Sequence, residues 1–200
     1  MNNCGCNNES STFKCDKFGT FIANDVNCIN PSITADGSII PFSSGNTLSI
    51  VDIIADVKTA SLIGFSSAIN DVVIIGNTRD LTGFFIEAFT VPREGKITAI
   101  SATFSLITGQ VSDGTATIRA QIFLAPEGSN IFTGTSASID LAPPLTGTVL
   151  GEISYASANI SPVPVSPGDQ LLMLFYISSK TGNSVIYVLR GNASAGIKIV

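Results

Sequence analysis

The stretch "GTATIRAQIFLAPEG", residues 114–128, decides the fold. Its apolar side chains return every second residue. Ala116, Ile118, Ala120, Ile122 and Leu124 fall on one side, and Thr115, Thr117, Arg119, Gln121 and Phe123 on the other. A helix gathers every third or fourth residue onto one face, whereas a pleated strand gathers every second, so this period predicts a strand with one buried face. "KITAISATFSLITG" (96–109) repeats the signal, with Ile100, Ala102, Phe104 and Leu106 set against Thr103 and Ser105. Turn-forming residues punctuate the rest: "PREG" (92–95), "SDGT" (112–115), "PEGSN" (126–130), "SPGD" (166–169) and "KTGN" (180–183). Further strands are expected over 48–57, 62–67, 84–91, 146–155, 170–178, 185–190 and 195–200, with at most a helical turn near 50–57. About nine short strands predict an all-β sandwich or jelly roll. The closing "AGIKIV" (195–200) is apolar to its last residue, which predicts an inner strand near a symmetry axis rather than a frayed tail.

Composition narrows the function classes. The chain has 200 residues, 44% of them hydrophobic and only 12% charged, with mean hydropathy +0.42. A soluble domain usually carries about 25% charged residues. A surface so short of charge is poorly defended against association, so much of it is expected to be covered by other copies of the chain. Net charge is -5 and no Lys/Arg cluster occurs, which argues against nucleic acid. No apolar run approaches the roughly 20 residues that span a bilayer, so no membrane partner is expected. Histidine, the commonest general base and metal ligand, is absent, as is tryptophan. Asp52, Asp56, Asp71, Asp80, Glu87, Glu94, Asp113, Asp140, Glu152 and Asp169 lie scattered, nearly all in turn contexts with Gly, Pro or Asn, and read as solvated turn residues. Neither "NDVVIIGNTRD" (70–80) nor "SDG" (112–114) has EF-hand spacing. A non-enzymatic protein without cofactor or metal is therefore expected.

The chain divides near Gly37. Residues 1–37 are rich in Asn, Ser and Asp and hold all four cysteines, so they read as an N-terminal arm or connector; residues 38–200 form the β head. Cys4, Cys6, Cys15 and Cys28 are spaced with one close pair, C-x-C, and two distant members. Structural zinc wants two compact pairs, so the open readings are disulfides between subunits, disulfides within the arm, or reduced thiols, with metal the least favoured. Reach favours the first: about 20 extended residues span roughly 60 Å, more than a domain diameter. Phe13, Phe18, Phe21, Ile22 and Val26 are candidate docking residues, and "GTFIANDV" (19–26) is a candidate strand for an exposed sheet edge. They pack either on a neighbouring head or on their own. The N-terminus is polar, with no basic start and apolar stretch, so synthesis in a cytoplasm without a signal peptide is expected. The Asn-x-Ser matches at 8–10, 159–161 and 192–194 then read as chance.

Six motifs in fixed order, "IIPFSSG" (39–45), "LIGFSS" (62–67), "FTVPREGKITAISATFS" (89–105), "APPLTGTVLG" (142–151), "VSPGDQLLMLF" (165–175) and "ASAGIKIV" (193–200), resemble the C-terminal domain of BclB-type exosporium glycoproteins of spore-forming Firmicutes. The resemblance spans about residues 38–200. It implies a jelly roll of the tumour-necrosis-factor and C1q kind, assembled as a homotrimer on a spore surface, in contact with other spore-surface proteins and made in the mother-cell cytoplasm. Proteins of that family carry a collagen-like stalk before the head. Here glycine numbers 18 and the leader has no three-residue period, so the cysteine arm stands in the stalk's place. In that respect the architecture is similar to endospore appendage subunits, joined through an N-terminal connector into a fibre or other polymer. The competing expectation is a C1q-like or lectin-like binding head.

Overall fold

The computed structural model describes residues 37–53, 57–65, 67–73, 76–84 and 86–200. Cys4, Cys6, Cys15 and Cys28, and the docking candidates Phe13, Phe18, Phe21, Ile22 and Val26, lie outside these residues. Among the described residues there is no helix, and twelve strands follow in chain order: β1 (Ser38–Ser43), β2 (Leu48–Ile53), β3 (Val57–Ile63), β4 (Ala68–Val73), β5 (Thr78–Asp80), β6 (Phe89–Thr90), β7 (Gly95–Val111), β8 (Thr115–Ala125), β9 (Ile131–Asp140), β10 (Ile153–Val165), β11 (Gln170–Thr181) and β12 (Ile186–Ile199).

The pairing of these strands defines the architecture. The eight principal strands are β2, β3 and β7 to β12. They pair first with last (β2–β12), second with seventh (β3–β11), third with sixth (β7–β10) and fourth with fifth (β8–β9), all antiparallel. Lateral pairs β7–β12 and β8–β11 then close two sheets, β10-β7-β12-β2 and β9-β8-β11-β3. A long hairpin wound up in this way is a jelly roll. β1 continues the line of β2 along β12, and β6 pairs with β11, β4 with β3 and β5 with β9.

The main core fills the space between the sheets. Ala116, Ile118, Ala120 and Ile122 of β8 face Ile100, Ala102, Phe104 and Leu106 of β7, as the two-residue period requires; Leu124 packs on the rim. Each such apolar side chain contributes about 1.5–3 kcal/mol when fully buried. Phe123 belongs to the opposite face and is buried as well. There Ala60, Leu62, Phe123, Ala125, Phe132, Leu172 and Leu174 form a second cluster with Val72 and Leu81, and Ile69, Ile86 and Ala88 pack onto it. Ile69, Val72, Leu81, Ile86 and Ala88, from the chain between β4 and β6, thus cover part of the outer face of the second sheet. This is why "LLMLF" (171–175) is a continuous apolar run: β11 is buried on both sides.

Several sequence expectations need correction. The expected strand at 84–91 shrinks to Phe89–Thr90. The one expected at 146–155 begins at Ile153 and runs to Val165, because Thr146–Gly151 is a loop pinned by the Glu152 carboxylate, which accepts from Thr146 N at 3.1 Å and Gly147 N at 3.2 Å. The segments 185–190 and 195–200 are one strand, β12, continuous through the small residues of "GNASAG". β9 was not anticipated, because "IFTGTSASID" has little apolar alternation. Asp52 is a buried strand residue, not a turn residue. The last residues form an inner strand as expected, with β12 paired to β7 on one side and to β1 and β2 on the other.

Candidate self-association surface

The outer face of the sheet β10-β7-β12 has no such covering layer among the described residues. Register sets its side chains in rows across the strands. One row is Asn159, Ala99, Lys198 and Ile39; the next is Ser157, Ser101, Gly196 and Pro41; the third is Tyr155, Thr103, Ser194 and Ser43; the fourth is Ile153, Ser105 and Asn192. Lys198 is the one charged member. Ser101 and Ser157 bond to each other through their hydroxyls at 2.6 Å, so part of this polarity is spent within the face. Tyr155 is 64% exposed, Ile39 77% and Ile153 51%. Two shallow depressions mark the surface. One of about 430 Å³ lies between Ile39, Ala99, Ser157 and Gly196, and one of about 390 Å³ between Ser43, Thr103, Asn192 and Ser194.

Local sequence explains this relief. The inward alternate residues of β7 and β12 carry the core, while small Ala, Ser, Gly and Asn occupy the outward ones and leave backbone close to the surface. β10 is the outermost strand. Beyond its bridge from Tyr155 to Ala142 no other strand pairs with its free edge among the described residues, and Pro162 and Pro164 interrupt its donors near one end. A face whose rows carry one charge, Lys198, ended by an open edge, can take another protein surface with little desolvation cost and can extend the sheet by main-chain bonding.

A second polar group sits on the other sheet. The Arg119 guanidinium donates to Asp140 through Nε at 2.8 Å and Nη2 at 2.7 Å, and Ser178 Oγ donates to the same carboxylate at 2.8 Å. The Arg119 hydrogen bonds hold the Asp140 carboxyl below its ordinary range, against the opposing effect of burial, with Ser178 adding to the lowering. The Asp140 bond in turn raises Arg119. Next to them Tyr176 OH donates to Gln121 Oε1 at 2.9 Å, beside a hollow of about 220 Å³ that Asn77, Phe123 and Leu174 also line.

The sequence-predicted carboxylates do not converge: among the described residues no three acidic or thiol groups gather as a metal site. Asp80 and Asp169 accept a backbone N–H in their own turns, from Thr82 at 2.9 Å and Ser166 at 2.8 Å, and Asp113 accepts from Asn183 N of the 180–183 turn at 2.9 Å. Sequence reasoning missed the rows of small residues. Their signal was present, in the Ser/Ala alternation of "SATFS" and "ASANIS", but it marks what a strand leaves outside and resembles ordinary solvent-facing polarity.

No family model matches this chain, and no curated protein matches it. One similar solved structure is the TNF protein Eiger from S. frugiperda, at 8% identity and a TM-score of 0.29, covering 80% of this chain and 94% of that one. The jelly-roll assignment above rests on strand pairing.

Proposed function

We propose that the protein is a non-enzymatic structural subunit of a spore surface, either the exosporium or an endospore appendage. Jelly-roll heads trimerise, and the N-terminal segment joins neighbouring assemblies through Cys4, Cys6, Cys15 and Cys28. One observation carries the reading: the rows from Asn159 to Ile39 and from Ile153 to Asn192 form an uncovered sheet face with a single charge, Lys198. Against water such a face gains little, whereas against a second copy it buries apolar Ile39, Tyr155 and Ile153 and brings backbones close. A stable interface of this kind buries at least about 1,200 Å² in total. The spore location is drawn from the motif resemblance. Docking of Phe13, Phe18, Phe21, Ile22 and Val26 on the neighbouring head completes the proposal, with the free edge of β10 as the receiving strand. Analytical ultracentrifugation of the reduced protein tests the assembly directly: a trimer is expected, and a monomer at tens of micromolar rejects it.

A C1q-like or lectin-like binding head is the second reading, favoured by the hollow beside Tyr176, where an aromatic ring meets the Gln121 and Asn77 amides. A glycan array separates the two, since only the binding head retains saccharide.

A further inference from the structure

We propose that Lys180 and Asp52 become joined by an isopeptide bond within the folded head. Asp52 shares the inward side of β2 with Leu48 and Ile50 and is 2% exposed. Its cross-strand neighbour on β12 is Tyr187, which is also buried. Lys180 comes from the facing sheet. On β11 it stands opposite Ala116, a core residue, and so points between the sheets. Its Nζ lies 2.7 Å from Asp52 Oδ1 and 5.1 Å from the centre of the Tyr187 ring. An amine and a carboxyl 128 residues apart in the chain therefore meet across the end of the core, over an aromatic floor.

As an ion pair this arrangement carries a cost on the Asp52 side, because the buried carboxylate gives up its water and attraction to Lys180 offsets that loss only in part. Amide formation removes both charges together. The existing hydrogen bond carries a proton from Nζ to the carboxylate, and the neutral amine then adds to Cγ. A second amine proton passes to the departing oxygen, which leaves as water. One C–N bond forms, one C–O bond breaks, and nothing is oxidised or reduced. The loss of translational freedom that opposes this condensation between free groups in solution is already met by the fold, which holds the reactants in contact at high effective concentration. The Lys180 side chain is 27% exposed, so the expelled water has a way out. The inference is independent of the assembly reading.

Intact-mass spectrometry of the full chain tests it, after prolonged incubation of the folded protein followed by reduction and alkylation to set thiol chemistry aside. The expected mass is one water below that of the alkylated sequence, and a protease digest yields one branched peptide joining residues 52 and 180. Lys180→Arg keeps a positive charge beside Asp52 but has no primary amine, so this variant is expected at full mass with an unchanged circular dichroism spectrum. A folded wild-type chain that weighs the full sequence mass overturns the proposal and leaves an ion pair only.

Discussion

At Gly191 the backbone of β12 passes so close to β7 that an added Cβ would lie 2.2 Å from the Ser105 carbonyl oxygen and 2.8 Å from the Phe104 ring. Neither neighbour can retreat, since one is sheet backbone and the other is fully buried. Gly191→Ala is therefore expected to cost about 1–3 kcal/mol by overpacking, read as a lower midpoint in urea unfolding with unchanged slope. Phe104→Ala, which instead empties the same spot, is expected to cost about 3–5 kcal/mol. A Gly191→Ala variant as stable as wild type would mean that the two strands are not packed as described. The Arg119–Asp140 pair calls for a smaller effect. Its side chains are 36% and 45% exposed, so solvent limits its worth to at most about 1 kcal/mol. The sign follows from the depressed Asp140 carboxyl. Its contribution is complete above the unfolded value of about 3.9 and fades as pH falls through the lower folded value. Asp140→Asn should thus lower the melting temperature slightly at pH 7 and make no difference at the acid end; an equal loss at both pH values would refute the assignment.

Strands were legible where burial is one-sided. β7 and β8 alternate because one face meets the core and the other does not, and that periodicity survives in the sequence. β9 and the middle of β12 were not legible, since their residues are chosen for closeness rather than apolarity: Gly134 meets Asn77 Oδ1 at 2.2 Å from its ideal Cβ, and Gly191 is crowded in the same way. The covering of the second sheet was hidden for another reason. Phe123 and the run 171–175 signal burial on both sides, but nothing local says that Ile69, Val72, Leu81, Ile86 and Ala88 supply the second partner. The outer face of β10-β7-β12 yields the prediction at this scale. Ser157→Glu together with Ser101→Glu sets like charges on facing β10 and β7 positions without entering the core. Sedimentation should then show monomers while the melting temperature of the head falls by no more than a few degrees. Persistence of the trimer would move the interface to another face.

For the whole molecule, the head and the cysteine segment make separable claims. Replacing Cys4, Cys6, Cys15 and Cys28 with serine removes no described contact of the head, so thermal unfolding of the β-sheet signal should be unaltered. The same replacement should abolish a ladder of multiples on non-reducing gels, and a ladder that survives it would refute linkage through these thiols. The proposed division of labour starts from low charge: with 12% charged residues over 200, the chain has few charges to keep copies apart, and links through the four cysteines would make such an association permanent.

The amino-acid order alone determined the class, because period-two alternation and turn residues are local properties that need no knowledge of partners. It also determined what the chain lacks, histidine above all. Only the tertiary structure decided which strands face one another, and with them the second apolar cluster, the charge-poor rows of β10-β7-β12, and the meeting of Asp52 with Lys180. Those are products of winding: a jelly roll pairs its first strand with its last, so groups more than a hundred residues apart become neighbours, and no local pattern records such a distance.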